Sequence, residues 1–161
     1  MRKAEAGDET TLAYIQTESW KSAFAQILSP EELTRSTDIK KAETMYQKVL
    51  ERNVVSMTIE SVDGQPHCIA GWSQNRNDLG DHIAELICIH SLSDQRRKGY
   101  GSVMMRHILD EIKQAGYSEV ILWVFEANLP AIRFYEKHGF QITDQRNIAH
   151  GAIEVMYSKK L

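Results

Sequence analysis

Cysteine is scarce in this chain, basic charge is not in excess, and no apolar run exceeds the six residues of VILWVF at 120–125. Two thiols, Cys68 and Cys88, make no disulfide scaffold. Both lie in apolar, strand-like runs, where buried free thiols are expected. Lys and Arg number 19 against 22 Asp and Glu, for a net charge of -3, which argues against a dedicated nucleic-acid binder. The apolar run is far short of a membrane span. The opening MRKAEAGDETT has two basic residues with no apolar stretch behind them, so no secretory signal is expected and the expected compartment is the cytoplasm. HExxH, paired CxxC and clustered carboxylates are missing, so no metal is expected. Ser-His-Asp and Cys-His arrangements are not identifiable either.

What remains is an ordinary globular composition, 42% hydrophobic and 25% charged, which excludes disorder and collagen. A chain of 161 residues is expected to form one domain over 1–161. Folding at this size buries roughly 68–70% of the unfolded surface, enough for a full core.

The hydrophobic period divides the chain. The first six residues suit a short strand. Leu12, Ile15, Ala23, Phe24 and Ile27 recur at helical spacing over 10–28, with a break near Trp20 open. Ser29, Pro30 and Glu32 form a capping box for another helix. A third helix is predicted from Asp38 to Arg52. Val55, Met57 and Ile59 then alternate as in a half-buried strand, and Asp63-Gly64 turns the chain into a return arm at CIAGW, 68–72. Residues 75–81 read as a loop. Ile83 to Leu92 is apolar at nearly every position, as a strand covered on both faces would be. Gly99 to Ala115 is predicted as a helix, Val120 to Phe125 as a buried strand and Asn128 to His138 as a helix. Two strands around a turn at His150-Gly151 complete the tail. Buried strand, helix, buried strand calls for a parallel pair with a right-handed crossover. With the preceding hairpin, the expected fold is α/β (α+β) with a mixed sheet flanked by helices.

Between the strand ending near Leu92 and the helix beginning near Gly99 lies SDQRRKGYGS. Two glycines at alternate positions permit a tight turn with convergent N–H groups. The first helical turn leaves its amides unpaired and adds dipole potential, and Arg96, Arg97 and Lys98 add charge. Such a loop suits a phosphate or pyrophosphate; the alternative is a solvated basic turn. No GKS or GKT follows, and the third glycine of the dinucleotide fingerprint is missing.

With these residues in place the chain resembles the GCN5-related N-acetyltransferases. The family loop Q/R-x-x-G-x-G/A is matched by Arg96-x-x-Gly99-x-Gly101. The family's asparagine, tyrosine-bearing helix and GF ending are matched by NLPAIRFYEKHGF, with Asn128, Tyr135 and Gly139-Phe140. AELICIHSLS, with Glu85 near its start, resembles the family's apolar strand, although Ser93 stands where relatives often have proline. The likeness covers most of 54–161, and ESWKSAFAQILSPEEL resembles a bacterial subgroup more loosely.

The resemblance implies a mostly antiparallel sheet with one splayed parallel pair, acetyl-coenzyme A as donor and a small-molecule or peptide amine as acceptor. It assigns the pyrophosphate to the loop and helix start: Arg96, Arg97, Lys98, Gly99, Tyr100, Gly101 and Ser102. It assigns the pantetheine arm to the strand end at Ile89, His90 and Ser91, with Asn128 on the far side. A dimer is common in the family.

Asn128, Ala131 and Tyr135 share one helical face, so a phenol beside the arm would be aimed toward the sulfur as a general acid. The alternative is a packed tyrosine beside Phe134. Glu85, an ionisable residue at the edge of an apolar strand, is the candidate base, acting through water; the alternative is a glutamate paired with a neighbouring base. Trp20, Phe24 and Trp72 are aromatic candidates for cradling a cationic acceptor, or else core. A coenzyme A-binding module without catalysis and a nucleotide-binding enzyme are the rival functions.

Overall fold

The computed structural model describes every residue of the chain except Arg96, together with the side chain of Gln95 excepted. Seven strands form one sheet in the order β1-β2-β3-β4-β5-β7-β6. They are β1 (Arg2–Lys3), β2 (Ser56–Val62), β3 (Gln65–Gln74), β4 (Ile83–Ser91), β5 (Glu119–Phe125), β6 (Gln141–Ala149) and β7 (Ala152–Lys160). Among the described residues five α-helices flank it: α1 (Glu9–Phe24), α2 (Pro30–Ser36), α3 (Ile39–Arg52), α4 (Tyr100–Gln114) and α5 (Leu129–Lys137). Every neighbouring pair of strands is antiparallel except β4 with β5. The mixed sheet read from the sequence is therefore the sheet observed.

Helix ends follow local chemistry. The Ser29 hydroxyl accepts from the Glu32 N–H to open α2, with Pro30 in the first turn. The Asp38 carboxylate accepts from the Lys40 and Lys41 amides to open α3. α1 runs unbroken through Trp20 and ends at Phe24, whose carbonyl accepts from both Ile27 and Leu28. The helical spacing read to residue 28 overshot because this turn delivers the chain to the Ser29 cap.

The sheet buries both faces. Against one lie α4 and α5, with Met104, Met105, Ile108 and Ile112 wholly buried against Ala84, Leu86, Val120 and Leu122. Against the other lie α1 and α3, where Leu12, Ile15, Ala42 and Tyr46 meet Met57, Ile59 and Ile69. Each buried side chain of this size contributes about 1.5–3 kcal/mol of transfer free energy. Both cysteines are free thiols.

The parallel pairing is short. β4 meets β5 at Ile83↔Glu119, Ala84↔Val120 and Glu85↔Ile121 and no further. On its other side β4 stays paired with β3 up to Ser91, but the register slips between Gly71 and Trp72: Trp72 faces Leu86 and Gly71 faces Cys88, leaving Ile87 as an extra residue. A bulge bends the strand that carries it. The bulge falls two residues beyond the last parallel pair, which accounts for the parting of β4 from β5. Among the described residues no helix is long and apolar enough to cross a membrane.

Candidate active site

The gap between the parted strands opens into a cavity of about 1390 Å³. Ligand pockets typically span roughly 300–1,000 Å³, so this space suits a long ligand or two together. β4 contributes residues 87–91, β5 contributes Trp123, Val124 and Phe125, and α5 contributes Asn128, Ala131, Phe134 and Tyr135. Arg97, Gly99, Gly101 and Ser102 line one end; Trp20, Phe24, Arg76, His150 and Glu154 are among the lining residues of the rest. Most of the residues singled out in the sequence thus converge.

At the loop end, Gly99 caps α4 with φ 92, a left-handed conformation that suits glycine. No Cβ at that position would meet any atom within 4 Å, so backbone conformation and not crowding selects the residue. Arg97 also has a positive φ, 62. The Ser102 and Val103 amides reach back to the Gly99 carbonyl, and the Ser102 hydroxyl hydrogen-bonds His138 at 3.0 Å. Phe134, which lies 3.6 Å from where a Cβ on Gly101 would stand, packs on His138 with ring centroids 4.7 Å apart. The start of α4 is in this way fixed to α5. Arg96 lies outside the described residues. Lys98 and Tyr100 belong to the same turn but do not line the cavity; the Tyr100 ring packs edge-on against His67.

On α5 the Asn128 side-chain oxygen accepts from the Ala131 N–H at 3.4 Å and caps the helix. A cap of this type uses the oxygen and leaves the amide N–H groups as donors. Asn128, Ala131 and Tyr135 all line the cavity, as the shared helical face requires. Tyr135 is 9% exposed, and burial, with Cys88 as its ionisable neighbour, pushes its phenol well above the usual value. It therefore stays protonated through the neutral range. Burial likewise pushes the Cys88 thiol up to about 12, against hydrogen bonds from the Gly71 backbone and Tyr46.

Glu85 lies on the other side of the last parallel pair. It is 1% exposed and is not among the cavity-lining residues. Its carboxylate accepts from the Arg76 backbone N–H and Nε, both at 3.1 Å, and from Nη2 at 2.5 Å. This pairing ties the loop after β3 to β4.

The remaining end is aromatic. Trp20 packs edge-to-face on Phe24 (4.9 Å) and on His150 (5.2 Å), and Phe24 packs on Phe125 (5.0 Å). The Trp20 indole N–H donates to His90 Nε2 at 3.4 Å. His150, in the β6–β7 turn, reaches Glu32 of α2 at 2.7 Å and Ser36 at 3.2 Å. Trp72 is not brought here: it lies under α4, donating to Glu111 at 3.1 Å and packing on Tyr117. The slip at Ile87 and the alternation of β3 place its side chain on the α4 face. Arg76, Trp123, Phe125 and Glu154 are lining residues that were not singled out from the sequence. Alternation along β5 and β7 was the available signal for Trp123, Phe125 and Glu154, but it does not say which face meets a cavity, and Arg76 in the loop after β3 had none.

Residues 14–140 match the sequence profile of the acetyltransferase (GNAT) family. An uncharacterized N-acetyltransferase, YuaI, of Bacillus subtilis (strain 168) is 24% identical over 138 residues, covering 86% of this chain and 78% of the relative. A probable N-acetyltransferase, san, of Drosophila melanogaster is 36% identical over 94 residues, covering 58% of this chain and 48% of the relative. Among solved structures, the PaiA N-acetyltransferase of Thermoplasma acidophilum in complex with coenzyme A superposes with a TM-score of 0.84 at 21% identity, over 99% of this chain and 97% of that one. With four-fifths of its length inside the profile and its whole length inside the fold, this chain belongs to the GNAT family and is an N-acetyltransferase.

Proposed function

We propose that the protein moves the acetyl group of acetyl-coenzyme A to a primary amine by direct attack on the thioester, with Tyr135 as general acid. The observation that carries this reading is the phenol's place on the wall of the parted β4–β5 gap, in line with Asn128.

The residues present suit the donor. The ladder between β4 and β5 ends at Glu85, and an extended ligand with amides of its own can take up strand pairing where it stops. At the loop end, the amides of the first turn of α4 and Arg97 provide for an anion. Acetyl-coenzyme A, when bound, supplies an activated acyl group and a thiolate leaving group. By the family resemblance, residues 97–102 hold the pyrophosphate, Ile89, His90 and Ser91 pair with the arm, and Asn128 donates to it.

The chain's part in the chemistry is then positional and acid–base. The acceptor nitrogen loses one proton to water and bonds to the carbonyl carbon, the carbon–sulfur bond breaks, Tyr135 gives its proton to the departing sulfur, and the second proton released by the nitrogen restores the phenol. Burial keeps the phenol protonated but makes it the weaker acid, so its place on the cavity wall, not its acidity, is what suits it to the task. A positioned acid contributes about 10²–10⁴-fold in rate. Transfer through an acyl-cysteine is disfavoured, because the thiolate is the nucleophile and Cys88 titrates only at about 12. The contacts of Glu85 support its paired reading over the basic one: all its hydrogen bonds come from Arg76. We assign it the task of holding that loop against the cavity.

Incubation with acetyl-coenzyme A and a panel of amines, followed by mass detection of product and by thiol release, tests the reading. Acetylated product with stoichiometric thiol is expected. Tight coenzyme A binding with no product from any amine would instead indicate a binding module.

A further inference from the structure

Two carboxylates lie on the α1 face of the sheet near the parted strands, and they differ in what holds them. Glu85 is enclosed by Arg76. Glu154, on β7, stands opposite Phe125 of β5 and Asn147 of β6 and lines the cavity. It is half-buried, and among the described residues no hydrogen bond or ion pair engages its carboxylate. A carboxylate left without partners in a partly buried site is costly, which makes such a site a receptor for a cation.

The charges around it sharpen this point. Its ionisable neighbours are Arg76 from the loop after β3, His150 from the β6–β7 turn and Glu85 from β4. Arg76 is committed to Glu85. His150 is committed to Glu32, which also pairs with Arg35 of α2. With Arg76 bonded to Glu85 and His150 to Glu32, Glu154 feels both neighbours but has no hydrogen bond from either. The walls beside it are aromatic: Phe125 is its strand neighbour, and Phe24, His150 and Trp20 continue from that ring. A carboxylate flanked by π-faces is the chemistry that selects an ammonium over a neutral group of the same shape.

We infer that Glu154 binds the acceptor as its ammonium ion, making a primary alkylammonium the preferred acceptor class and Glu154 a specificity-determining residue. This rests on the acetyl-transfer reading for the word acceptor, but its test does not need turnover. Calorimetric titration of n-hexylammonium and of n-hexanol into the protein saturated with coenzyme A compares the charged and neutral heads on one alkyl tail.

The wild-type protein is expected to bind the ammonium about tenfold or more tightly than the alcohol, the ratio that a charge-assisted hydrogen bond gives. Glu154→Gln is expected to erase that preference without changing affinity for coenzyme A, and Glu154→Asp to keep part of it. Equal binding of the two heads, or no binding of the ammonium, overturns the inference, as does a Glu154→Gln protein that still prefers the ammonium. Ammonium preference in a protein that acetylates no amine would leave the site standing and remove the transfer reading.

Discussion

One end of the cavity presents backbone and the other presents side chains. At the loop end the useful groups are the amides at the start of α4, the left-handed Gly99 and the part of β4 beyond its last pair with β5 at Glu85. At the opposite end they are Trp20, Phe24, Phe125, His150 and Glu154, brought from α1, β5, the β6–β7 turn and β7. A backbone site depends on conformation and tolerates many sequences. A side-chain site depends on which residues stand at each position. The first therefore suits a ligand shared by a whole family and the second a ligand that differs among members.

Tyr135 lines the cavity as the proposed acid, and its loss should be the largest. Tyr135→Phe keeps the packing against Phe134 and Phe140 and removes one proton. A fall in kcat of about 10²–10⁴-fold is expected, with coenzyme A affinity unchanged in titration. Unchanged turnover at saturating donor would return the residue to a packing role.

Gly99→Val comes next and should act on the donor end alone. A left-handed conformation costs roughly 1–2 kcal/mol for an L-residue, and more with a branched Cβ. The Michaelis constant for acetyl-coenzyme A should rise about tenfold while that for the amine stays put. A change confined to the amine would break the division of the cavity.

Glu85→Gln should be milder and should appear at the acceptor end, through the Arg76 loop. The acceptor constant is expected to rise a few-fold, about the loss of one charge-assisted bond, with the pH dependence of kcat retained. Loss of the low-pH limb of that profile would restore Glu85 as the base.

The smallest effect concerns stability. Burial raises the Glu154 carboxyl above its ordinary value, His150 and Arg76 oppose the shift, and Glu85 adds to it. The folded protein then holds that proton more tightly than the unfolded chain does. Stability from this group falls as pH rises from the unfolded carboxylate value through the raised folded one. Glu154→Gln removes the fall. Its thermal midpoint should match wild type below that window and lie slightly above it at neutral pH. A lower midpoint at neutral pH would mean that the carboxylate is satisfied in the folded protein.

The same contrast separates what could be read in the sequence. The cap at Ser29, the glycine loop and the α5 face were legible because each is a local pattern. So was the parallel pair, since two apolar strands around a helix admit little else. The aromatic end was legible only in part, through Trp20 and Phe24. Trp72 and Trp20 look alike as aromatic residues beside apolar runs, yet a register slip and strand alternation send Trp72 under α4 and leave Trp20 at the cavity. Glu85 and Glu154 are each one acidic residue in an apolar strand. Arg76, distant from both in helical or strand period, engages only the first. Long-range pairing of this kind has no short-range signature.

The central claim is that the stretch of β4 beyond its last pair with β5 receives the donor, and amide hydrogen exchange with and without coenzyme A tests it most directly. Strong slowing confined to 87–91 on β4 and to the first turn of α4 is the expected result. Exchange at those amides left unchanged by saturating coenzyme A would contradict it.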